Sequence, residues 1–207
     1  MMKPKLSILV FLCFLTELSV AFSQHDKDKL FANIKSQFSN LQSISMDFYL
    51  EDNTVKGNLL AKKGNKYIIS FGNRKIISDG KTIWNYNPAN KNVIVSNFET
   101  DSETASIENL FFSFANSFKP SKLYKNSSSN GYSEYFLELI PANKDESNLD
   151  MIKLMINPST KVISGVILIK NYSEEAWLIN SLKLNPEVDD KKFKFSPADN
   201  IEIIDLR

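Results

Sequence analysis

Few side chains in this sequence have the chemistry of a catalytic or metal site. His25 is the only histidine and Cys13 the only cysteine among the 207 residues. His25 stands two residues into the expected mature chain, where chains are usually mobile. Neither a Ser-His-Asp triad nor a histidine metal site can be built on it. We therefore expect no cofactor and no metal.

Paired carboxylates are the remaining candidates, as the acid and base of a hydrolase. The pairs are Asp145/Glu146, Glu174/Glu175 and Asp189/Asp190. All three are predicted in loops, where solvated turn residues are the usual interpretation. The six glycines form no phosphate-binding cluster, and no nucleophile elbow is present. The sequence favours a protein that is not an enzyme. An extracytoplasmic hydrolase, whose activity would depend on a single Asp or Glu, stays open as the alternative.

The first 23 residues predict a signal peptide. Two lysines precede the apolar run Leu6–Leu15, and small residues lie before the expected cleavage near Ser23/Gln24. The run is too short for a membrane-spanning helix, which needs about 20 apolar residues. We expect an exported protein with a single domain, residues 24–207.

Cleavage of the signal changes both the thiol content and the charge. Cys13 leaves with it, so the mature chain has no disulfide framework and no thiol nucleophile. As a lipid-attachment site, Cys13 follows the bulky Leu12 where lipoprotein signals have a small residue. Loss of Lys3, Lys5 and Glu17 leaves 23 basic and 23 acidic residues of the original 25 and 24. A protein without an excess of positive charge lacks the electrostatic attraction that nucleic-acid binding depends on.

Two segments show the periodicity of amphipathic helices. Asp26–Leu41 carries apolar residues at helical spacing with charges between them. Ser102–Phe118 places apolar residues on one stripe, and Ser102 is a suitable N-cap. Pro120 closes this second segment, and 119–131 is predicted as a polar loop.

Most of the remaining chain alternates apolar and polar residues, as strands do. Gly64, Gly72 and Gly80 recur at eight-residue intervals, which is typical of an antiparallel meander. The predicted strands are 44–50, 54–62, 66–71, 75–78, 82–87, 92–98, 132–140, 151–157, 162–170, 176–184 and 193–195. A sheet of about ten strands twists and curls instead of staying flat. We predict a mainly β fold with two or three helices, in which a curved antiparallel sheet forms an unclosed half β-barrel with helices at its mouth.

Apolar side chains are abundant, with 15 phenylalanines, two tryptophans and five methionines in the chain. Such residues on strand and helix faces are most often core packing. They can equally line a cavity for acyl chains, and composition leaves both interpretations open.

Several motifs resemble those of the periplasmic outer-membrane lipoprotein carrier family, LolA. They are a strand with Met46-Asp47-Phe48, the stretch Gly57 to Tyr67, the run Ser78-Asp79-Gly80-Lys81-Thr82-Ile83-Trp84-Asn85-Tyr86, and the ending Phe193-Lys194-Phe195-Ser196-Pro197. The resemblance covers nearly all of the mature chain. It implies a half-barrel with an α-helical lid over an apolar cavity, which holds the acyl chains of lipoproteins in the periplasm. The implied partners are acylated lipoproteins, an inner-membrane ATP-driven complex that releases them, and an outer-membrane acceptor where one exists; a monomer is expected.

The resemblance also implies roles for individual residues. A basic residue after the second strand latches the lid in this family, and a nearby aromatic residue contributes to cargo transfer. These positions match Lys63 and Tyr67. Lysine replaces the usual arginine, which offers a planar fork of donors, and Gly64 replaces the usual proline. The other expected lipid-binding residues are apolar, namely Met46, Phe48, Trp84, Ile107, Leu110, Phe111 and Phe114.

The favoured function is therefore a periplasmic carrier of lipoproteins between the inner and outer membranes. Two related alternatives share the fold: a half-barrel that binds another lipid, and a sensor of mislocalised lipoproteins. An anchored receptor would need a lipidated cysteine, and the residue before Cys13 argues against one.

Overall fold

The structure is a computed structural model that describes residues 24–50, 55–98, 111–112, 114–127, 133–147 and 149–207. The predicted signal peptide and most of the predicted helix Ser102–Phe118 lie outside the described residues. No helix of the described part is both long and apolar enough to cross a membrane.

Helix α1 spans Gln24–Ser39, two residues earlier at each end than predicted. Phe31, Ile34 and Phe38 recur at three- and four-residue spacing and are buried on one face. Asp26 lies in the first turn, where a negative charge is favourable to the helix dipole. The helix therefore packs through one apolar stripe and leaves its other side polar.

The described residues that follow form twelve strands in chain order, with the short helix α2 (Phe114–Ser117) before the seventh. They are β1 (Ser43–Leu50), β2 (Lys56–Lys62), β3 (Lys66–Phe71), β4 (Arg74–Asp79), β5 (Thr82–Asn87), β6 (Asn92–Asn97), β7 (Phe118–Ser127), β8 (Ser133–Pro141), β9 (Met151–Ile156), β10 (Ile163–Lys170), β11 (Ser173–Leu184) and β12 (Glu202–Asp205). Ten of the predicted strands are present with ends within three residues of those expected.

The predicted loop 119–131 is wrong, because most of it is strand β7. Phe118, assigned to the second helix, starts this strand opposite Pro141. Strand β7 is at one edge of the sheet and is largely exposed, so its polar composition resembles that of a loop. Pro120 is tolerated there because it lies beside a register shift on an edge strand.

Two further predictions, one near the C terminus and one in β11, are wrong, and one strand was not predicted. The predicted strand Phe193–Phe195 overlaps a 3-10 helix, Asp190–Phe193, whose first turn is capped by the Asp189 side chain. Strand β12 has no counterpart among the predicted strands. Glu174 and Glu175 lie at the start of β11 and not in a loop.

All strands form one sheet in the order β12-β6-β5-β4-β3-β2-β1-β11-β10-β9-β8-β7. Every neighbouring pair is antiparallel except β12 and β6, which are parallel. The two edge strands β7 and β12 do not pair with each other, so the sheet is open. The predicted half-barrel with a helix at its mouth is confirmed.

The two faces of the sheet are covered differently. Helix α1 packs on what we call the inner face, and its apolar stripe joins buried side chains of β1, β2, β8 and β9 in the main core. Residues 185–201, here called the C-terminal strap, run along the outer face of the β1–β6 half. Phe193 of the strap is fully buried, and the ring of Phe195 lies 5.2 Å from that of Tyr86.

Candidate functional site

An apolar cavity of about 340 Å³ lies on the inner face of the sheet. Strands β1–β3 form one wall and β9–β11 the other, while Phe38 of α1 and Phe111 contribute from the helical side. Every side chain that lines it in the described part of the chain is apolar. The cavity therefore sits where the half-barrel meets its helical cover.

A β-bulge allows β11 to line the cavity along most of its length. Asp47 of β1 pairs with Ser181, but the next residue, Phe48, pairs with Ile179. The extra residue on β11 reverses the alternation of side chains. Leu182 on one side of the bulge and Ile179 on the other consequently both face the cavity.

Phe48 is held in place by two neighbours. Its ring meets the ring of Trp177 edge-on, with centroids 5.1 Å apart and an interplanar angle of 76°. Directly across on β2, Gly57 leaves the space that the ring fills, because a Cβ there would lie 2.6 Å from the Phe48 ring. This aromatic pair forms a rigid part of the cavity wall.

The described side chains that line the cavity offer only apolar contact. None of them can transfer a proton or stabilise a charge, and the described residues hold no cluster suited to a metal ion. Hydrocarbon placed there leaves water without losing any hydrogen bond. The arrangement is suited to binding an acyl chain.

The structure brings some of the predicted lipid-binding residues together. Met46, Phe48 and Phe111 all line the cavity. Tyr67 lies on the same sheet face, two residues before Ile69, and packs against the main core. Burial raises the pKa of the Tyr67 hydroxyl above its ordinary value, so this side chain stays neutral in the physiological range.

Trp84 does not join them. Ile68, adjacent to Tyr67 and so on the other face, pairs with Ile77, which in turn pairs with Trp84. Paired residues share a face of the sheet, so Trp84 lies on the outer face, away from the cavity.

The remaining predicted apolar residues belong to the segment before β7. Phe114 is the first residue of α2, and only its backbone is described. Ile107 and Leu110 lie outside the described residues.

Lys63 lies in the turn between β2 and β3, and its backbone N–H donates to the Gln42 carbonyl at 2.9 Å. Its side chain is half-buried.

The run that begins at Ser78 supports the Lys63 turn from the next hairpin. Ser78 Oγ donates to the Asn65 carbonyl at 2.7 Å. Gly80, with φ of +91°, passes so close to Gly64 that any side chain would collide with its carbonyl. The motif therefore has a structural role in holding the Lys63 turn.

Sequence reasoning missed the ion pairs that flank Lys63. Lys62 Nζ lies 2.6 Å from one carboxylate oxygen of Asp190, and Lys66 Nζ lies 2.5 Å from the other. The sequence pattern predicts only a solvated turn residue at Asp190. These hydrogen bonds and charges hold the pKa of Asp190 at about 2. The carboxylate joins the β2–β3 hairpin to the C-terminal strap.

The second wall of the cavity was also missed. Ile152 and Leu154 of β9 alternate as half-buried strands do, and this signal was available in the sequence. Trp177 and Ile179 could not be assigned from alternation alone, because the bulge that orients them has no sequence signature here.

The family of the chain follows from its sequence. The model described as "Outer membrane lipoprotein carrier protein LolA" matches residues 49–196, well over half of the chain. The chain belongs to the LolA family. The LolA match includes β2 to β11 and thus both walls of the cavity, apart from β1 residues such as Met46 and Phe48.

The solved structures to which this LolA-family chain is similar are distant from it in sequence. An uncharacterized conserved protein from Thermus thermophilus is 9% identical, with 87% of this chain and 99% of that chain covered and a TM-score of 0.51. A DUF1329 family protein from Desulfovibrio piger is 14% identical over 82% and 96% of the two chains, at a TM-score of 0.46. LprF from Mycobacterium bovis is 8% identical, with 82% of this chain and 97% of that chain covered and a TM-score of 0.48. Curated protein sequences gave no significant match.

Proposed function

We propose that this LolA-family protein is a carrier, and not an enzyme, that shelters the acyl chains of lipoproteins and moves them across the periplasm. The observation that carries the proposal is the cavity of about 340 Å³, whose lining side chains among the described residues are all apolar. The family match supports a lipoprotein as the cargo and an extracytoplasmic location.

The energetics of an acyl chain explain why a carrier is needed. Each CH₂ group exposed to water costs about 0.8 kcal/mol, so a chain of about fourteen carbons costs on the order of 10 kcal/mol. The cavity wall includes Met46 and several leucine and phenylalanine side chains, which adapt to different chains without fixing one geometry. Such a wall binds hydrocarbon and still permits release.

Partners and individual roles complete the proposal. Cargo is received from an ATP-driven complex of the inner membrane and delivered to the outer membrane. Lys63 holds the lid closed when the cavity is empty, and Tyr67 contributes to transfer. The half-buried position of Lys63 in the β2–β3 turn, whose backbone binds the Gln42 carbonyl three residues after the end of α1, supports the first of these roles.

The volume of the cavity supports a second candidate, a carrier of single-chain lipids. A methylene group occupies roughly the volume of a water molecule, about 30 Å³. At that rate a chain of about fourteen carbons occupies roughly 420 Å³, so a cavity of about 340 Å³ is closer to the size of one acyl chain than of two. Mass spectrometry of lipids that co-purify with the protein separates the candidates, because diacylated cargo supports the first and free fatty acid the second.

A loading experiment tests the carrier function. The protein is mixed with a diacylated lipopeptide or with the same peptide after deacylation, and the complexes are measured by native mass spectrometry. We expect the acylated form alone to bind. Equal binding of both forms contradicts the proposal.

Adjacent residues of β10 provide matched variants for this experiment. Leu168 lines the cavity, whereas Ile167 pairs with Lys153 on the outer face, and both are half-buried. Leu168→Asn places an amide among the apolar chains and is expected to abolish loading. Ile167→Asn, with a similar loss of apolar packing, is expected to load normally.

A further inference from the structure

A second, larger cavity lies along the polar side of α1. Its volume is about 620 Å³, and it is a cleft between α1, the β7–β8 pair and the β9–β10 turn. Apolar residues such as Leu30 and Leu123 form its floor, while Lys29, Asn33 and Lys161 add polar groups. This mixed lining distinguishes the cleft from the wholly apolar cavity.

The polar groups of α1 form a regular stripe along the cleft. Lys29, Asn33 and Gln37 recur at four-residue intervals, so they lie one above the other on the helix. No described residue forms a hydrogen bond or an ion pair with their side chains. Eight residues of helix rise about 12 Å. That distance matches three or four residues of an extended peptide at about 3.3 Å each.

The cleft and the apolar cavity adjoin each other. Ile34 lines the cleft and Phe38, one turn further along α1, lines the cavity. Lys161 and Ile163 repeat this division at the start of β10. An acyl chain that enters the cavity from this side can therefore place its polar end next to the cleft.

We propose that the cleft binds the peptide segment that follows the acylated N terminus of the cargo, three or four residues in extended conformation. This inference rests on the proposed carrier function. The stripe of lysine, asparagine and glutamine offers both donors and acceptors, as a peptide backbone requires. A phosphate group needs donors alone.

The charges in the cleft favour an acidic peptide. The charged residues that line the cleft are two lysines, Lys29 and Lys161, and one carboxylate, that of Asp26. Lys161 is held over the Tyr135 ring, with Nζ 4.6 Å from its centroid, and so keeps its charge at the cleft. Both lysines are exposed, so the preference for an acidic over a basic segment is modest, about threefold in affinity.

The test compares three probes by displacement of a fluorescent fatty acid from the full mature protein. The first is dipalmitoyl-glyceryl cysteine followed by Ser-Ser-Asp-Asp, the second is the same lipid as the cysteine amide, and the third is dipalmitoyl phosphatidylglycerol. The variant combines Lys29→Gln, Asn33→Ala and Gln37→Ala. Lys35→Gln, on the same helix but outside the cleft, is the control.

The expected result is that the lipopeptide binds more tightly than the cysteine amide, and that the triple variant removes this advantage without weakening binding of the amide. The control variant retains the advantage. Equal binding of lipopeptide and amide overturns the inference but leaves the carrier function intact. Phosphatidylglycerol provides the contrary case: if it binds as tightly as the lipopeptide and loses as much affinity in the triple variant, the cleft is a lipid-headgroup site. That result also overturns the inference. Failure of every probe to bind overturns the carrier function itself.

Discussion

Asp190 ties the C-terminal strap to the β2–β3 hairpin through two lysines, Lys62 and Lys66. Their positive charges stabilise the carboxylate, and its pKa falls to about 2 in the folded protein. The unfolded chain has the ordinary aspartate pKa of about 3.9. Folding therefore gains stability from this group above pH 4, and the gain is lost as the pH falls toward 2.

Replacement of this carboxylate should change the acid response of the protein. We expect Asp190→Asn to lower Tm at pH 7 and to flatten the fall in Tm between pH 4 and pH 2. Asp199→Asn, an exposed strap residue, is the control and should leave both unchanged. Thermal unfolding followed by circular dichroism measures the difference, and identical acid profiles for Asp190→Asn and the wild type would contradict the prediction.

The proposed latch at Lys63 predicts an effect on affinity. If Lys63 stabilises the closed, empty state, then Lys63→Ala removes a competitor of the loaded state. We expect acyl-chain affinity to rise roughly two- to tenfold, the range for loss of one hydrogen bond, and release to slow accordingly. Lys75→Ala, exposed on β4, should have wild-type affinity. A Lys63→Ala protein with unchanged affinity and release rate would show that another residue holds the lid.

Single residues differ in how far sequence could predict their placement. Met46 and Phe48 alternate with polar neighbours on β1, and this pattern identifies their buried face. Trp84 gave no such signal, because its neighbour Ile83 is equally apolar and both are half-buried. The C-terminal strap covers part of the outer face and buries residues there. An aromatic side chain on β5 can therefore be buried on either the inner or the outer face of the sheet.

At the level of single elements, Gly57 on β2 is a sensitive position. A methyl group there would lie 2.6 Å from both the Phe48 ring and the Ser70 carbonyl oxygen. The backbone oxygen cannot yield, so Gly57→Ala must displace the strand or push Phe48 toward the cavity. We expect a loss of about 1–3 kcal/mol in the free energy of unfolding, as for other overpacked sites.

Urea unfolding checks this expectation, with Asn58→Ala on the same strand as the control. Asn58 is exposed, and its replacement should change the free energy of unfolding by less than about 0.5 kcal/mol. A fluorescent fatty acid should also bind Gly57→Ala more weakly, since Phe48 would then occupy part of the cavity. Wild-type stability and binding in this variant would mean that the strand relaxes without cost.

Elements with strong alternation were predictable, and those shaped by their place in the sheet were not. The meander β2–β6 follows from its glycines and β-branched runs because each hairpin is local in sequence. Strand β7 was not predicted, because an exposed edge strand needs few apolar residues. Strand β12 escaped because four residues carry little periodicity and its pairing with β6 is remote in sequence.

For the molecule as a whole, the cavity volume leads us to expect movement on loading. About 340 Å³ is less than half of the roughly 800 Å³ that two chains of about fourteen carbons occupy, so we expect a covering element to shift when both bind. Helix α1 is the covering element described along its full length, and near its start Lys27 Nζ donates to the Ser121 carbonyl of β7 at 2.8 Å. We expect α1 to move away from β7 when a diacylated ligand binds.

Pinning α1 to β7 tests this movement. Lys27→Cys and Ser121→Cys, introduced into protein lacking residues 1–23, are joined by a short reducible linker. The linked protein should lose binding of the diacylated ligand but keep binding of a short single-chain fatty acid, and reduction should restore the first. Full binding of the diacylated ligand by the linked protein would assign the movement to the segment before β7.

The parallel pairing of β12 with β6 also affects how the chain is made. Glu202 lies opposite Asn92, so the two partners are about 110 residues apart in the sequence and are synthesised at different times. Closing so long a loop is entropically costly, which makes this contact a late step in acquiring the native state. Until it forms, β6 presents an unpaired edge, through which newly synthesised molecules can associate.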